Sequence, residues 1–226
     1  MDDILYNFDR EYGNIVEYNA RDVSWFHIEK LNIFYTAINA SLKSLKKELN
    51  RLPILKSPLE YRTDLFNEVL NEMRQTAIVG IFHLWLHNLQ EFLAIGGDFN
   101  NNKKIKLISS PTETILNLFN EDKILQSLVP VLEKYGYLVN TIKHGIGPSY
   151  KKLQHLYPEF FVEPGEYKEE LILDGESYDS TIAMPPYVLQ NHIDEFYKTA
   201  KNFWQNIPEK LVIDFTEKIP KRVIKA

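Results

Sequence analysis

One long helical pattern constrains the fold of this chain more than any other feature. It begins at Ser57 and Pro58, where a serine cap and a proline in the first turn favour a helix start, and it ends at the Gly96 and Gly97 pair. Its second half, from Ile78 to Leu86, is apolar on nearly all sides. Such a helix has to be enclosed by other helices or by a partner chain, so the pattern predicts a mainly α fold.

Other segments repeat the helical spacing of apolar residues. We expect long helices from Ser24 to Pro53, from Glu121 to His144 and from Tyr187 to Asn206, with a short helix capped by Ser149. Alternating residues around Asp174 and Gly175 predict a small β-hairpin near residues 170–182. The chain then divides into an N-terminal arm, 1–22, and a single helical domain, 23–226. That domain holds the hairpin insertion, 165–185, and ends in a basic tail, Lys218, Lys221, Arg222 and Lys225.

Composition removes several classes of function. The 26 basic and 31 acidic side chains leave a net charge of -5, which excludes a uniformly basic coat for nucleic acid. Because the chain has no cysteine, thiol catalysis and iron-sulfur clusters are excluded. We expect no cofactor. The first thirty residues lack the pattern of a signal peptide and no long apolar run occurs, so we predict a cytoplasmic protein without a membrane partner.

A line of polar side chains runs along the helix that ends at His144. Glu133, Tyr137, Asn140 and His144 are spaced four, three and four residues apart, so they share the face opposite the apolar side. An imidazole in the last turn of a helix is well placed to act as a general acid or base, and Asn140 lies one turn before it. The alternative is an ordinary solvated face in which a C-terminal histidine stabilises the helix end.

The segment after this helix can bind an anion. Gly145, Gly147 and Ser149 surround a proline, and such a turn exposes backbone N–H groups. Lys143 and Lys151 flank the turn and would offset negative charge. The segment lacks the preceding strand and the GK[ST] ending of a P-loop, which excludes nucleotide hydrolysis of that type.

A second polar line lies on the longest helix. His83, His87 and Glu91 follow one another at intervals of four residues on an otherwise apolar helix. Side chains of these types at this spacing could hold zinc or another divalent ion. The alternative is a pair of core histidines bonded to neighbouring side chains, because buried imidazoles need hydrogen-bond partners.

Two runs of sequence resemble the HEPN-like helical proteins of bacteria. The first, LVNTIKHGIGPSYKKLQHLYPEFF, spans Leu138 to Phe161 and contains an NxxKHG motif, and the second, AKNFWQNIPE, spans Ala200 to Glu209. The resemblance implies a homodimeric helical bundle. In active members it also implies a metal-independent RNase with an R-[polar]-x-x-x-H motif. By position, Asn140 matches the polar residue and His144 the catalytic histidine, whereas Val139 stands where the motif has arginine.

The resemblance leads to two main hypotheses of function. The first is a HEPN-like protein with a degenerate RNase motif, which binds RNA, a nucleotide or a protein partner at the Asn140/His144 surface, in a toxin-antitoxin or defence system. The second is an active RNase in which His144 is the general acid or base and Asn140 orients the phosphate. A divalent-metal protein that uses His83, His87 and Glu91 is a third hypothesis.

Overall fold

The computed structural model describes residues 8–12, 15–51, 59–97, 111–161, 185–214 and 221–222. Within these ranges the chain is mainly α, as the apolar spacing predicts. The elements, in chain order, are β1 (Phe8–Tyr12), β2 (Ile15–Asn19), α1 (Ala20–Arg51), α2 (Leu59–Gly97), α3 (Pro111–Leu118), α4 (Lys123–His144), α5 (Pro148–Leu156), a 3-10 turn (Pro158–Phe161), α6 (Gln190–Gln205), β3 (Lys210–Asp214) and β4 (Lys221–Arg222). No helix in these ranges has the length and apolar character needed to cross a membrane.

Helix α4 begins where an aspartate caps it. The Asp122 carboxylate accepts hydrogen bonds from the backbone N–H groups of Ile124 and Leu125 at 3.0 and 3.1 Å. These contacts satisfy two of the donors that every helix start leaves without an internal partner. Pro130 lies inside the helix and does not end it.

A four-stranded antiparallel sheet joins the two ends of the chain in the order β1-β2-β3-β4. Within the predicted N-terminal arm, residues 8–12 and 15–19 form β1 and β2, which the sequence analysis did not predict as strands. Lys221 and Arg222 of the basic tail form β4. Strand β2 pairs with β3, so Ile15 lies opposite Asp214. The strands have five residues or fewer, and β3, one of the two partners of β2, is almost the whole chain away. The other partner, β1, is separated from β2 by only two residues, so that pairing is local and was missed because the strands are short.

Some predicted features fall outside the described residues. They are the hairpin near residues 170–182, the insertion 165–185 except for Pro185, and Lys218 and Lys225 of the tail. The described chain forms two compact units. Unit 1 contains the described residues within 1–37, 81–133 and 195–226, and unit 2 contains those within 38–80 and 134–194.

Unit 1 has an aromatic core. Trp85 on α2 meets Phe203 and Phe196 on α6 edge to face, with ring centroids 5.8 and 6.3 Å apart, and Phe119 meets Phe203 at 6.1 Å. All four of these residues are buried. Aromatic rings bury large areas and favour this edge-to-face geometry, so the cluster is a main source of the stability of the unit. The sheet reaches the helices where the Ala20 N–H donates to the Glu209 carbonyl at 2.8 Å.

Unit 2 contains a polar clamp on its longest helical segment. The side chains of Asn71 and Gln75 on α2 both donate to the Pro186 carbonyl, at 3.3 and 2.6 Å. The side-chain amide oxygen of Asn71 also accepts a hydrogen bond from the Val188 backbone N–H at 2.8 Å. Asn71 is buried, and these bonds satisfy both ends of its amide. The clamp fixes the segment that leads into α6.

Candidate functional site

The polar line on α4 lies where the helical spacing predicts it. Asn140 and His144 are exposed, whereas Leu138 and Val139 are buried. Val139, the residue at the position of the motif arginine, is only 1% exposed. A side chain at that position points into the interior and cannot reach a phosphate at the surface.

The turn after α4 depends on a glycine in a left-handed conformation. Gly145 has φ +66, and its N–H donates to the Thr141 carbonyl at 2.9 Å, which closes the helix. The prediction that Ser149 caps α5 is wrong, because Gly147 is the cap and Pro148 takes the first helical position. Proline favours that position since its ring fixes a helical φ and its missing N–H needs no partner there. Ser149 therefore lies in the first turn, half-buried.

Three lysines lie near the polar line, Lys143 on α4 and Lys151 and Lys152 on α5. Lys143 and Lys151 are exposed, as a solvent-facing binding surface requires. Lys152, which the sequence reasoning missed, places its Nζ 3.4 Å from the Tyr137 hydroxyl and 5.1 Å from the centre of that ring. Because Tyr137 belongs to the line of Asn140 and His144, this contact brings α5 to the same face of α4. We call Tyr137, Asn140, Lys143, His144 and Lys152 the corner surface.

The stretch that forms the corner surface contains no acidic residue. Between Glu133 and Glu159 the chain has four lysines, two histidines and no aspartate or glutamate. The whole chain, in contrast, has more acidic than basic side chains. Residues 134–158 therefore carry a local excess of basic side chains, which the total charge conceals. Glu133, one turn before Tyr137, lies next to this stretch on the same face of α4.

The second polar line does not form a metal site. His83 and His87 are exposed, and the His87 Nε2 lies 3.2 Å from Glu91 Oε1. The other Glu91 oxygen accepts a hydrogen bond from Lys30 Nζ at 2.9 Å. In the parts of the chain that the structure describes, no three His, Asp or Glu side chains are arranged to hold a metal ion. The expectation that these imidazoles are buried is also wrong, because they lie on the outer side of α2.

The charge of Glu91 is set by its neighbours. Burial alone would raise the pKa of this carboxyl group. The hydrogen bond and charge of Lys30, together with the imidazoles of His87 and His27, nevertheless hold the pKa below its usual value. Glu91 is therefore ionised at neutral pH, and Lys30 is its strongest partner.

Two buried polar residues in unit 1 were missed by the sequence reasoning. His27 on α1 and Asn88 on α2 are at most 2% exposed. His27 also lies against Trp204, with the ring centroids 4.5 Å apart. Burial, with the nearby charge of Lys30, lowers the pKa of His27 to about 4, so its ring is neutral at pH 7. Helical spacing could have identified it, because Val23 and Leu31, four residues to either side, are buried as well.

Comparison with protein-family models, curated proteins and solved structures finds no match for this chain. The HEPN-like resemblance stays a prediction based on the NxxKHG motif and the AKNFWQNIPE segment.

Proposed function

We propose that this protein is a HEPN-like binding module that holds single-stranded RNA at the corner surface. The observation that carries the proposal is the exposure of Asn140, Lys143 and His144 on a stretch without acidic residues. Contacts with phosphate supply most of the affinity of proteins for nucleic acid, and lysine, histidine and asparagine side chains all donate to phosphate oxygens.

The spacing of the cations favours a chain of phosphates over a single one. Lys152 lies at Tyr137, and Lys143 and His144 lie at the end of the same helix, about 10 Å further along its axis. An extended strand can contact both ends of this line, whereas one phosphate group cannot. Gly145, Gly147 and Ser149 lie at the far end of the line, where the N–H groups in the first turn of α5 also favour an anion. Lys151, next to Lys152, adds to the local charge.

The buried position of Val139 favours binding over cleavage. An RNase of the resembled type needs an arginine that contacts the scissile phosphate, and Lys143 would supply only charge without the two-pronged geometry of a guanidinium. The competing hypothesis is an RNase in which His144 is the general acid or base and Asn140 orients the phosphate. Incubation of the protein with total RNA in EDTA separates the two. We expect intact RNA, and 2',3'-cyclic phosphate ends that disappear in His144→Ala would establish cleavage instead.

The RNA-binding proposal is tested with a fluorescently labelled oligouridine and anisotropy measured over a range of salt concentrations. We expect Lys143→Gln combined with Lys152→Gln to weaken binding at least about tenfold and to reduce the salt slope by about 1.4, or 0.7 for each lost phosphate contact. The matched control is Lys46→Gln combined with Lys47→Gln, two exposed lysines on α1. Equal affinity of the two double variants for the oligouridine would contradict the proposal. Binding of a ligand that does not depend on salt would indicate a protein partner instead of RNA.

We also propose that the protein is a homodimer that associates through α1. Trp25 and Ile33 are 63% and 70% exposed on this helix, and Phe26 and Phe34 lie beside them. Large exposed apolar groups on one helix face are typical of an interface. Light scattering should give twice the mass of 26.6 kDa, and Trp25→Glu with Ile33→Glu should give a monomer. A monomeric wild type would refute the proposed dimer.

Cytoplasmic location and a role in a toxin or defence system remain part of the proposal.

A further inference from the structure

The described part of unit 1 contains four buried polar side chains with unmet hydrogen-bonding groups, those of His27, Trp85, Asn88 and Trp204. Asn88 and Trp204 lie beside His27, and these three form the cluster considered below. His27 on α1, Asn88 on α2 and Trp204 on α6 are each at most 2% exposed. Both ring nitrogens of His27, both amide atoms of Asn88 and the indole N–H of Trp204 lack a hydrogen-bond partner in the described chain. Buried polar groups of native proteins are nearly always paired, so a cluster of three is exceptional.

The three side chains cannot satisfy one another. Asn88 lies close enough to His27 to favour its protonated form, but the two groups do not reach hydrogen-bond geometry. Even a flipped amide and the other tautomer of His27 would make a single bond between them. One ring nitrogen, the rest of the amide and the Trp204 N–H would still be unmet. A group from outside these three side chains is needed to complete them.

The surroundings indicate a neutral group. His27 is uncharged at pH 7, and Asn88 and Trp204 carry no charge. The nearest ions are Lys30 and Glu91, whose opposite charges compensate each other at 2.9 Å. An ion placed beside these side chains would lose its hydration without a counter-charge, which is costly. The unmet atoms include donors and acceptors, so the missing group must both accept and donate.

We propose that His27, Asn88 and Trp204 form an internal binding site for a small uncharged molecule that both donates and accepts hydrogen bonds. Two sources share this chemistry, ordered water and a small organic amide or alcohol. Ordered water commonly completes buried polar groups in this way, with about three hydrogen bonds for each molecule. The site does not depend on the proposed RNA function.

The sign of a stability change tests the site. If a molecule bonds to Asn88, Asn88→Leu breaks those bonds, and we expect the Tm to fall by about 2–4 °C for each bond lost. If nothing bonds to Asn88, the same change removes an unmet amide, and the Tm should stay constant or rise. Thr141→Val is the matched control, because the buried Thr141 hydroxyl also lacks a partner but lies outside the cluster. A constant or higher Tm for Asn88→Leu would overturn the proposal.

Poor packing of the leucine in Asn88→Leu would also lower the Tm, so a second measurement tests the site in the unchanged protein. A crystal structure of the wild type at high resolution should show density within hydrogen-bond distance of His27 and Asn88, and the absence of such density would overturn the proposal. Unfolding, dialysis and refolding then distinguish the sources. A water site returns to its original Tm, whereas loss of an organic molecule lowers the Tm, and mass spectrometry of the extract identifies that molecule.

Discussion

Glu91 on α2 accepts a hydrogen bond from Lys30 on α1 at 2.9 Å, although the two residues are 61 positions apart in the chain. Its second oxygen faces His87 at 3.2 Å. Both charges act on the buried His27: Lys30 lowers its pKa and Glu91 raises it. A carboxylate that appeared in the sequence to be a metal ligand is thus the link between two helices and a buried imidazole.

Replacement of this carboxylate by Glu91→Gln should have a small effect on stability. Lys30 and Glu91 are partly exposed, and such pairs contribute about 0.2–1 kcal/mol, an amount that salt reduces. Urea unfolding at low and high salt, with a double-mutant cycle that includes Lys30→Met, measures the coupling. The variant should also lower the pKa of His27 further, because Glu91 is a neighbour that raises it. A rise of that pKa in an NMR titration would contradict the contact.

His27 should make the protein less stable in mild acid. Burial holds its pKa at about 4, below the ordinary value of 6.5, so the unfolded chain binds a proton between these pH values and the folded chain does not. Stability is therefore complete above pH 6.5 and falls by about 3 kcal/mol as the pH drops to 4. Urea unfolding from pH 4 to 7.5 should show this slope, and His27→Gln should flatten it. An unchanged slope in the variant would assign the acid sensitivity to other groups.

The turn after α4 provides a matched pair of glycine substitutions. Gly145 has φ +66, and a Cβ added there meets nothing within 4 Å, so Gly145→Ala tests backbone strain alone. We expect a loss of about 1–2 kcal/mol. Gly147 has an extended backbone, φ −173, with equally open space, so Gly147→Ala should change the stability little. Thermal unfolding measures both, and equal effects would show that the left-handed conformation is not required.

Val139→Arg should damage the fold rather than restore an RNase. The side chain at this position is only 1% exposed, so a guanidinium placed there would lose its hydration. We expect a loss of about 3 kcal/mol or more, in line with other unpaired buried charges. Chemical unfolding and the RNA assay in EDTA test this together. A folded variant that gains RNA cleavage would show that this position reaches the surface after all.

Apolar spacing predicts the helices of this chain because each helix is a local structure. The face of α4 that carries Asn140 and His144 follows from the same spacing, which is why their exposure matches the prediction. The pairing of β1 with β2 is local and was missed because both strands are short. The pairing of β2 with β3 was missed because β3 lies far along the chain. Long-range pairing leaves no trace in a short window of sequence.

The two candidate sites differ in what the sequence could reveal. The basic character of the corner surface is present in the sequence, but a total charge of -5 conceals it, and a count over the stretch after Glu133 would have found it. His27 and Trp204 come together only through the packing of α1 against α6 in unit 1. Their contact depends on tertiary structure, so helical spacing could mark His27 as buried but could not identify its neighbour.

The pairing of β2 with β3 has a consequence for biosynthesis. While the ribosome is still adding residues, one hydrogen-bonding edge of β2 has no partner until all the residues between β2 and β3 have been made. Open strand edges are templates for association with other chains. Newly made copies are therefore exposed to aggregation until Lys210–Asp214 emerge, and the yield of native protein in cells should depend on chaperones that cover this edge.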